Sequence, residues 1–348
     1  MSSPDGYLPL VVVTRGGHAE SLHHGAVAVA RPGGQLVASF GDQSLTTFLR
    51  SSAKPWQALP FLESGAADAL GVDDEELALV CASHGGTPAH VAVVERLQRK
   101  AGIEPSLLAC GTHMPYDRAA ATQLRQAGQS PQPNHHNCSG KHSAMLATAA
   151  YLQEPLEGYL APEHPVQVRI LKAVSEITGL TSEAIGTGTD GCSAPNFSLP
   201  LVDAATAYAR LADPSGMVEG RRRALERIWA AMTGHPVLVS GEGRLDALLM
   251  GAQPGRVLTK AGAEGYLGMA LRGGAGEPSL GVALKIADGD GAGRALPVAA
   301  VAVLQALGWL RPDDASAILD LAVEPITSHA GRVVGAVQPL LELAWTGD

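Results

Sequence analysis

Ser51-Ser52-Ala53-Lys54 is the first group in this chain whose types and spacing suit chemistry. In S-x-x-K at a helix start, serine and lysine stand one turn apart on one face. A neutral amine there takes the hydroxyl proton and leaves an alkoxide nucleophile. The same spacing also suits an N-cap serine followed by a surface lysine. In Cys81-Ala82-Ser83-His84-Gly85-Gly86, a serine leaves an apolar run into glycines whose N–H groups can approach a substrate oxyanion. A helix-entry turn fits those residues too. Thr259-Lys260-Ala261-Gly262 ends a predicted strand with a lysine that either faces a cleft or guards an edge. Cys138-Ser139-Gly140-Lys141-His142 and the distant Cys192 put thiols in two glycine-containing loops. That donor set suits a metal such as zinc, or simply two buried free cysteines. Asp190, in Thr187-Gly188-Thr189-Asp190-Gly191, can hold a substrate ammonium or cap its own turn.

Lysine usage sharpens these readings. Among 25 basic residues the lysines are Lys54, Lys100, Lys141, Lys172, Lys260 and Lys285, so arginine carries the routine charge. Only lysine can shed its proton and act as a base.

The elements that position these residues follow a distinct order. Strands are predicted over 8–17 and 26–40, with a turn at Pro32-Gly33-Gly34. A helix is predicted from Ser51 or Ser52 to Gly65, with Pro55 tolerated in its first turn. Thr87-Pro88 opens another, to about Gly102. Residues 110–138 read as a long irregular loop and 186–192 as a glycine-punctuated one. Further helices are predicted from Ser143, from Pro165 to Gly179, and near 199–212, 219–232, 243–251, 292–309 and 313–321. Strands are predicted over 255–260, 264–272 and 279–287. Strands, a helical middle at about 87–250, more strands and a final helix do not make the alternation of a parallel sheet. The order implies an α+β fold: one domain over 1–348, its N- and C-terminal strands sharing an antiparallel sheet.

The 348 residues are 46% hydrophobic and 17% charged, enough to fill a core and exclude wholesale disorder. A net charge of −9 argues against nucleic acid or an anionic membrane as partner. The apolar run at Leu8–Val13 is too short for a signal peptide, and Ala295–Leu310 is too broken for a membrane span. With four unpaired-looking cysteines, the chain reads as cytoplasmic.

The order of the motifs carries more than any one of them. R-S-S-A-K-P at 50–55, C-A-S-H-G-G at 81–86, N-H-H-N-C-S-G-K-H at 134–142, T-D-G-C-S-A-P at 189–195 and L-T-K-A-G-A-E-G at 258–265 occur together. This set resembles the class 3 L-asparaginases, the rhizobial-type asparaginase II family, from about residue 8 to 340. The resemblance implies a fold like that of serine β-lactamases and glutaminases. It implies two Ser-Lys pairs, Ser51 with Lys54 and Ser83 with Lys260; the one-turn spacing to Lys54 makes Ser51 the expected nucleophile and Ser83 the alternative. It implies zinc on Cys138, Lys141 and Cys192, Asp190 on the substrate's ammonium, Arg50 and His142 at the rim, and a homodimer. The expected reaction is hydrolysis of L-asparagine. A glutaminase, a penicillin-recognising serine hydrolase and a non-enzymatic metal-dependent protein are the competing readings.

Overall fold

In chain order the strands are β1 (Leu8–Arg15), β2 (His18–Ala30), β3 (Leu36–Phe40), β4 (Thr46–Phe48), β5 (Gly186–Thr189), β6 (Pro195–Pro200), β7 (Val257–Gly262), β8 (Tyr266–Leu271), β9 (Leu280–Ile286), β10 (Glu324–Thr327), β11 (Val333–Pro339) and β12 (Ala344–Trp345). The computed structural model describes residues 6–310, 318 and 320–347. The main sheet runs β10-β11-β1-β2-β9-β8-β7, with β3 on β2 and β12 on β3. Strand β2 pairs antiparallel with β9, Val27 opposite Leu284 and Val29 opposite Val282. N-terminal and C-terminal strands therefore do share one antiparallel sheet in an α+β fold.

Contacts divide the chain into two compact units. Met1–Ser52, Leu199–Asp213 and Thr259–Asp348 form the first; Ala53–Ser198 and Pro214–Leu258 form the second. The first unit holds the sheet. Every residue of Ala26–Ala30 is buried, so β2 is covered on both faces at this point, as its unbroken apolar run requires. Helices Leu201–Ala212 and Ala295–Ala306 pack on the sheet. Glycine permits the first of these contacts. A Cβ at Gly281 would lie 1.9 Å from the Ala205 carbonyl oxygen, and one at Gly268 would lie 1.9 Å from the Tyr208 ring. Tyr208 then donates its hydroxyl to the Ser52 carbonyl at 2.6 Å, fixing the end of the segment that carries Ser51.

The second unit is mainly helical. Pro88–Ala101 begins at the predicted Thr87-Pro88 signal, with Thr87 accepting the His90 N–H. Asp74–Val80 carries a capping box between Asp73 and Glu76, and Glu76 is buried against Arg96 and Lys100. Several elements differ from the sequence reading. The helix expected over 51–65 is broken into a 3-10 turn, Arg50–Ala53, and short helices Lys54–Gln57 and Leu59–Glu63. Pro55 and Pro60 lack the N–H that a continuous helix needs. Within 110–138 a helix forms at Arg118–Gln126, capped by Asp117. Its buried residues are only Ala120 and Ala121, which leave no apolar stripe to read. The helix expected from Ser143 starts at Ser139. The loop expected at 186–192 is half of a hairpin, β5 with β6. Strands β10 to β12 are mostly exposed and show little hydrophobic alternation. The helix expected at 313–321 lies mostly outside the described residues. Among those residues no helix is long and apolar enough to cross a membrane.

Candidate active site

Lys54 opens its short helix directly after the 3-10 turn and is 1% exposed. Its Nζ lies 3.0 Å from Ser83 Oγ. It also donates to the Ala82 carbonyl, and to the Asn137 carbonyl at 3.3 Å. This surround has a chemical consequence. A neutral amine has two hydrogens and one lone pair. The two carbonyls can accept both hydrogens, and the lone pair is left for the Ser83 O–H. An ammonium fits as well, with three donors for three oxygens. One set of contacts thus serves both ends of a proton transfer between Ser83 and Lys54.

Ser83 follows helix Asp74–Val80, and its N–H is held by the Val239 carbonyl at 2.9 Å. The next residue, His84, is fully buried. Its Nδ1 accepts the Gly86 N–H at 3.1 Å, so Nε2 carries the proton given to Ser139 Oγ at 2.9 Å. Ser139 in turn donates to the Asn134 carbonyl at 3.1 Å. Burial, then the neighbouring His90 and Lys54, hold the His84 pKa well below the usual imidazole range. The ring is a neutral strut between the serine loop and the start of helix Ser139–Tyr151.

That helix carries Lys141 and His142 in its first turn and is buried from Ser139 to Ala149. Gly140 allows this. A Cβ there would lie 2.3 Å from the Leu79 carbonyl oxygen, so only glycine lets the helix approach the end of Asp74–Val80. Lys141 Nζ is 3.2 Å from Cys192 Sγ. Cys138 is hydrogen-bonded to Cys192, which holds the Cys138 thiol well below its ordinary pKa and raises Cys192. Burial opposes charge on Lys141, but the two cysteines and Asp190 outweigh it and raise its pKa.

The donor chemistry fits the zinc implied by the resemblance: two sulfurs and an amine converge from residues at most 3% exposed. Binding would require loss of the Cys192 and Lys141 protons. His142 Nδ1 shares a 2.6 Å hydrogen bond with the Tyr159 hydroxyl, and its side chain also interacts with Cys192. Asp190 sits beside this cluster in the β5–β6 turn, its Oδ2 4.0 Å from Cys192 Sγ and its Oδ1 accepting the Gly191 N–H. Among the described residues no group of three or more His, Cys, Asp or Glu is disposed to hold a metal, so Lys141 is essential to this set.

Three expected residues belong to the first unit. Arg50 adopts a left-handed φ of 52° and lies 4.0 Å from Glu264. Ser51 is half-buried in the 3-10 turn. Lys260 is fully buried on β7, its Nζ donating to the Ala261 carbonyl at 2.7 Å. A Cβ at Gly262 would lie 2.6 Å from the Leu49 carbonyl oxygen, so the turn bearing Ser51 starts beside the strand bearing Lys260. Sequence reasoning missed Asn137, His136 and His113. His113 accepts the Asn137 N–H at 3.0 Å, and His136 accepts the Cys138 N–H at 3.0 Å. The signal for His136 and Asn137 was their place in N-H-H-N-C-S-G-K-H; His113 had only its place in the 110–138 segment.

Among curated proteins no relative matches the chain. Matches among solved structures include Mglu in its L-glutamate binding form, at 17% identity over 83% of this chain and 61% of that one, TM-score 0.39. A probable glutaminase from Bacillus subtilis complexed with 6-diazo-5-oxo-L-norleucine matches at 12% identity over 82% and 84%, TM-score 0.35. A Bacillus glutaminase in 4.3 M NaCl matches at 11% identity over 82% and 91%, TM-score 0.37. The chain spans between 60% and 66% of the length of four of the Mglu chains it matches. The sequence pattern of L-asparaginase II matches residues 11–339. The chain belongs to the L-asparaginase II family, a family of amidohydrolase enzymes.

Proposed function

We propose that this chain is an L-asparaginase, hydrolysing L-asparagine to L-aspartate and ammonia through a serine activated by Lys54. Family membership supports amide hydrolysis, and the 3.0 Å contact between the Lys54 amine and the Ser83 hydroxyl is the observation that carries the mechanism. A serine Oγ adds to the side-chain carboxamide carbon as its proton passes to a lysine amine. The tetrahedral oxyanion collapses, the C–N bond breaks, and the proton returns to the departing ammonia. Water then hydrolyses the acyl-serine ester and releases aspartate.

Ser51 is the preferred nucleophile on its S-x-x-K spacing from Lys54, and Ser83 with Lys260 relays the proton to the departing ammonia or assists attack. Ser83 as nucleophile is the second reading, favoured by the same 3.0 Å contact. Asp190 holds the α-ammonium, with Arg50 and His142 at the rim. Cys138, Lys141 and Cys192 would hold zinc, which supplies a positive anchor that orients the loops and the substrate. A cytoplasmic homodimer completes the reading.

Ammonia release from L-asparagine and L-glutamine tests it. Wild type is expected to favour asparagine, and Lys54→Ala to lose roughly 10²–10⁴-fold in kcat. Trapping the acyl-enzyme in Ser51→Ala and Ser83→Ala and reading the modified peptide by mass spectrometry names the nucleophile. Unchanged turnover in Lys54→Ala overturns the mechanism.

A further inference from the structure

The peptide linking Asn137 to Cys138 is held at both ends. Its carbonyl accepts from Lys54 Nζ at 3.3 Å, and its N–H donates to His136 Nδ1 at 3.0 Å. A peptide unit is planar, so the direction of the N–H fixes that of the carbonyl. His136 is itself confined. It is 7% exposed, its N–H is taken by the Pro133 carbonyl at 3.0 Å, its carbonyl accepts the Ser139 N–H at 2.9 Å, and its ring lies 4.4 Å from that of His113.

We infer that His136 is a positioning residue for the base: through the Asn137–Cys138 peptide it aims the carbonyl that accepts a Lys54 hydrogen and so turns the amine lone pair toward Ser83. This rests on the reading of Lys54 as the base. With the Ala82 carbonyl as sole acceptor, the second hydrogen and the lone pair of the neutral amine can exchange places, so that an N–H faces Ser83 as readily as the lone pair does. A second fixed acceptor stops that exchange. Both polar groups of this peptide are directed at Lys54 and His136, so the effect is expected in turnover.

The test compares His136→Leu, His136→Asn and Lys54→Ala in ammonia release, with melting temperature and amide exchange at Cys138 measured alongside. Leucine keeps bulk and removes the acceptor; asparagine places Oδ1 near the position of Nδ1. His136→Leu is expected to lower kcat roughly 10- to 100-fold with KM nearly unchanged, as for a misplaced catalytic group. Its Cys138 amide is expected to exchange faster. His136→Asn is expected to restore most of both, and it decides the matter if His136→Leu does not fold. Wild-type kcat in His136→Leu, or an Asn variant as impaired as the Leu variant, overturns the inference while loss of activity in Lys54→Ala leaves the base reading standing. Full activity in Lys54→Ala overturns both.

Discussion

At the scale of single residues, charge type decides less than the availability of a lone pair. Lys141 lies 3.2 Å from Cys192 Sγ, and only a neutral amine can serve a metal. Lys141→Arg is therefore expected to keep a buried cation and lose zinc retention, because guanidinium does not deprotonate. Metal content after dialysis checks this. The accompanying kinetic expectation, for that variant and for chelated wild type, is a KM raised more than kcat is lowered. Cys138, Lys141, Cys192 and Asp190 lie close together, a proximity that residue type left open and only the resemblance implied. The contact of Lys54 with Ser83 was not legible. The two are 29 positions apart, and S-x-x-K spacing suggests a partner one turn back instead. His136 and Asn137 act through backbone groups, which residue type does not announce.

At the scale of elements, the approach of helix Ser139–Tyr151 to the end of Asp74–Val80 sets the spacing between the serine loop and the cysteine–lysine cluster. Gly140→Ala is expected to destabilise by about 1–3 kcal/mol, since the new methyl meets a backbone carbonyl that cannot turn aside. Gly220→Ala, in helix Glu219–Gly234 with open space around it, is expected to stabilise by up to about 1 kcal/mol. Urea titrations of the two variants should shift in opposite directions. Helix Pro88–Ala101 and strands β7 to β9 were readable because caps and apolar runs are local signals. Helix Arg118–Gln126 buries too little, and β10 to β12 are too exposed, for any local pattern to mark them.

At the scale of the whole molecule, the second unit carries several neutral imidazoles. Burial depresses His84 and His90, and brings His136 and His142 to about 4. Unfolding returns each to an ordinary pKa near 6.5, where it takes up a proton that the folded chain refuses. The stability these rings allow is complete above that value and declines as pH falls through it. Each adds a slope of up to about 1.4 kcal/mol per pH unit. Denaturation midpoints from pH 7 to 5 are expected to fall more steeply than one histidine allows, and His84→Gln to flatten the slope. The sharing of one sheet by the first and last thirds of the chain followed from element order alone. The division into two units did not: the crossings at 52/53, 198/199 and 258/259 fall inside or against predicted elements, and the polar Asp213-Pro214-Ser215-Gly216 marks only the fourth, at 213/214. The pairing of β2 with β9 also has a cost in time. Ile286, the partner of Gly25, is synthesised roughly 260 residues later, about 13–50 s at ordinary ribosome speeds. For that interval the apolar edge Ala26–Ala30 waits without its neighbour, and whatever shields it in the cell bears on how much enzyme is recovered.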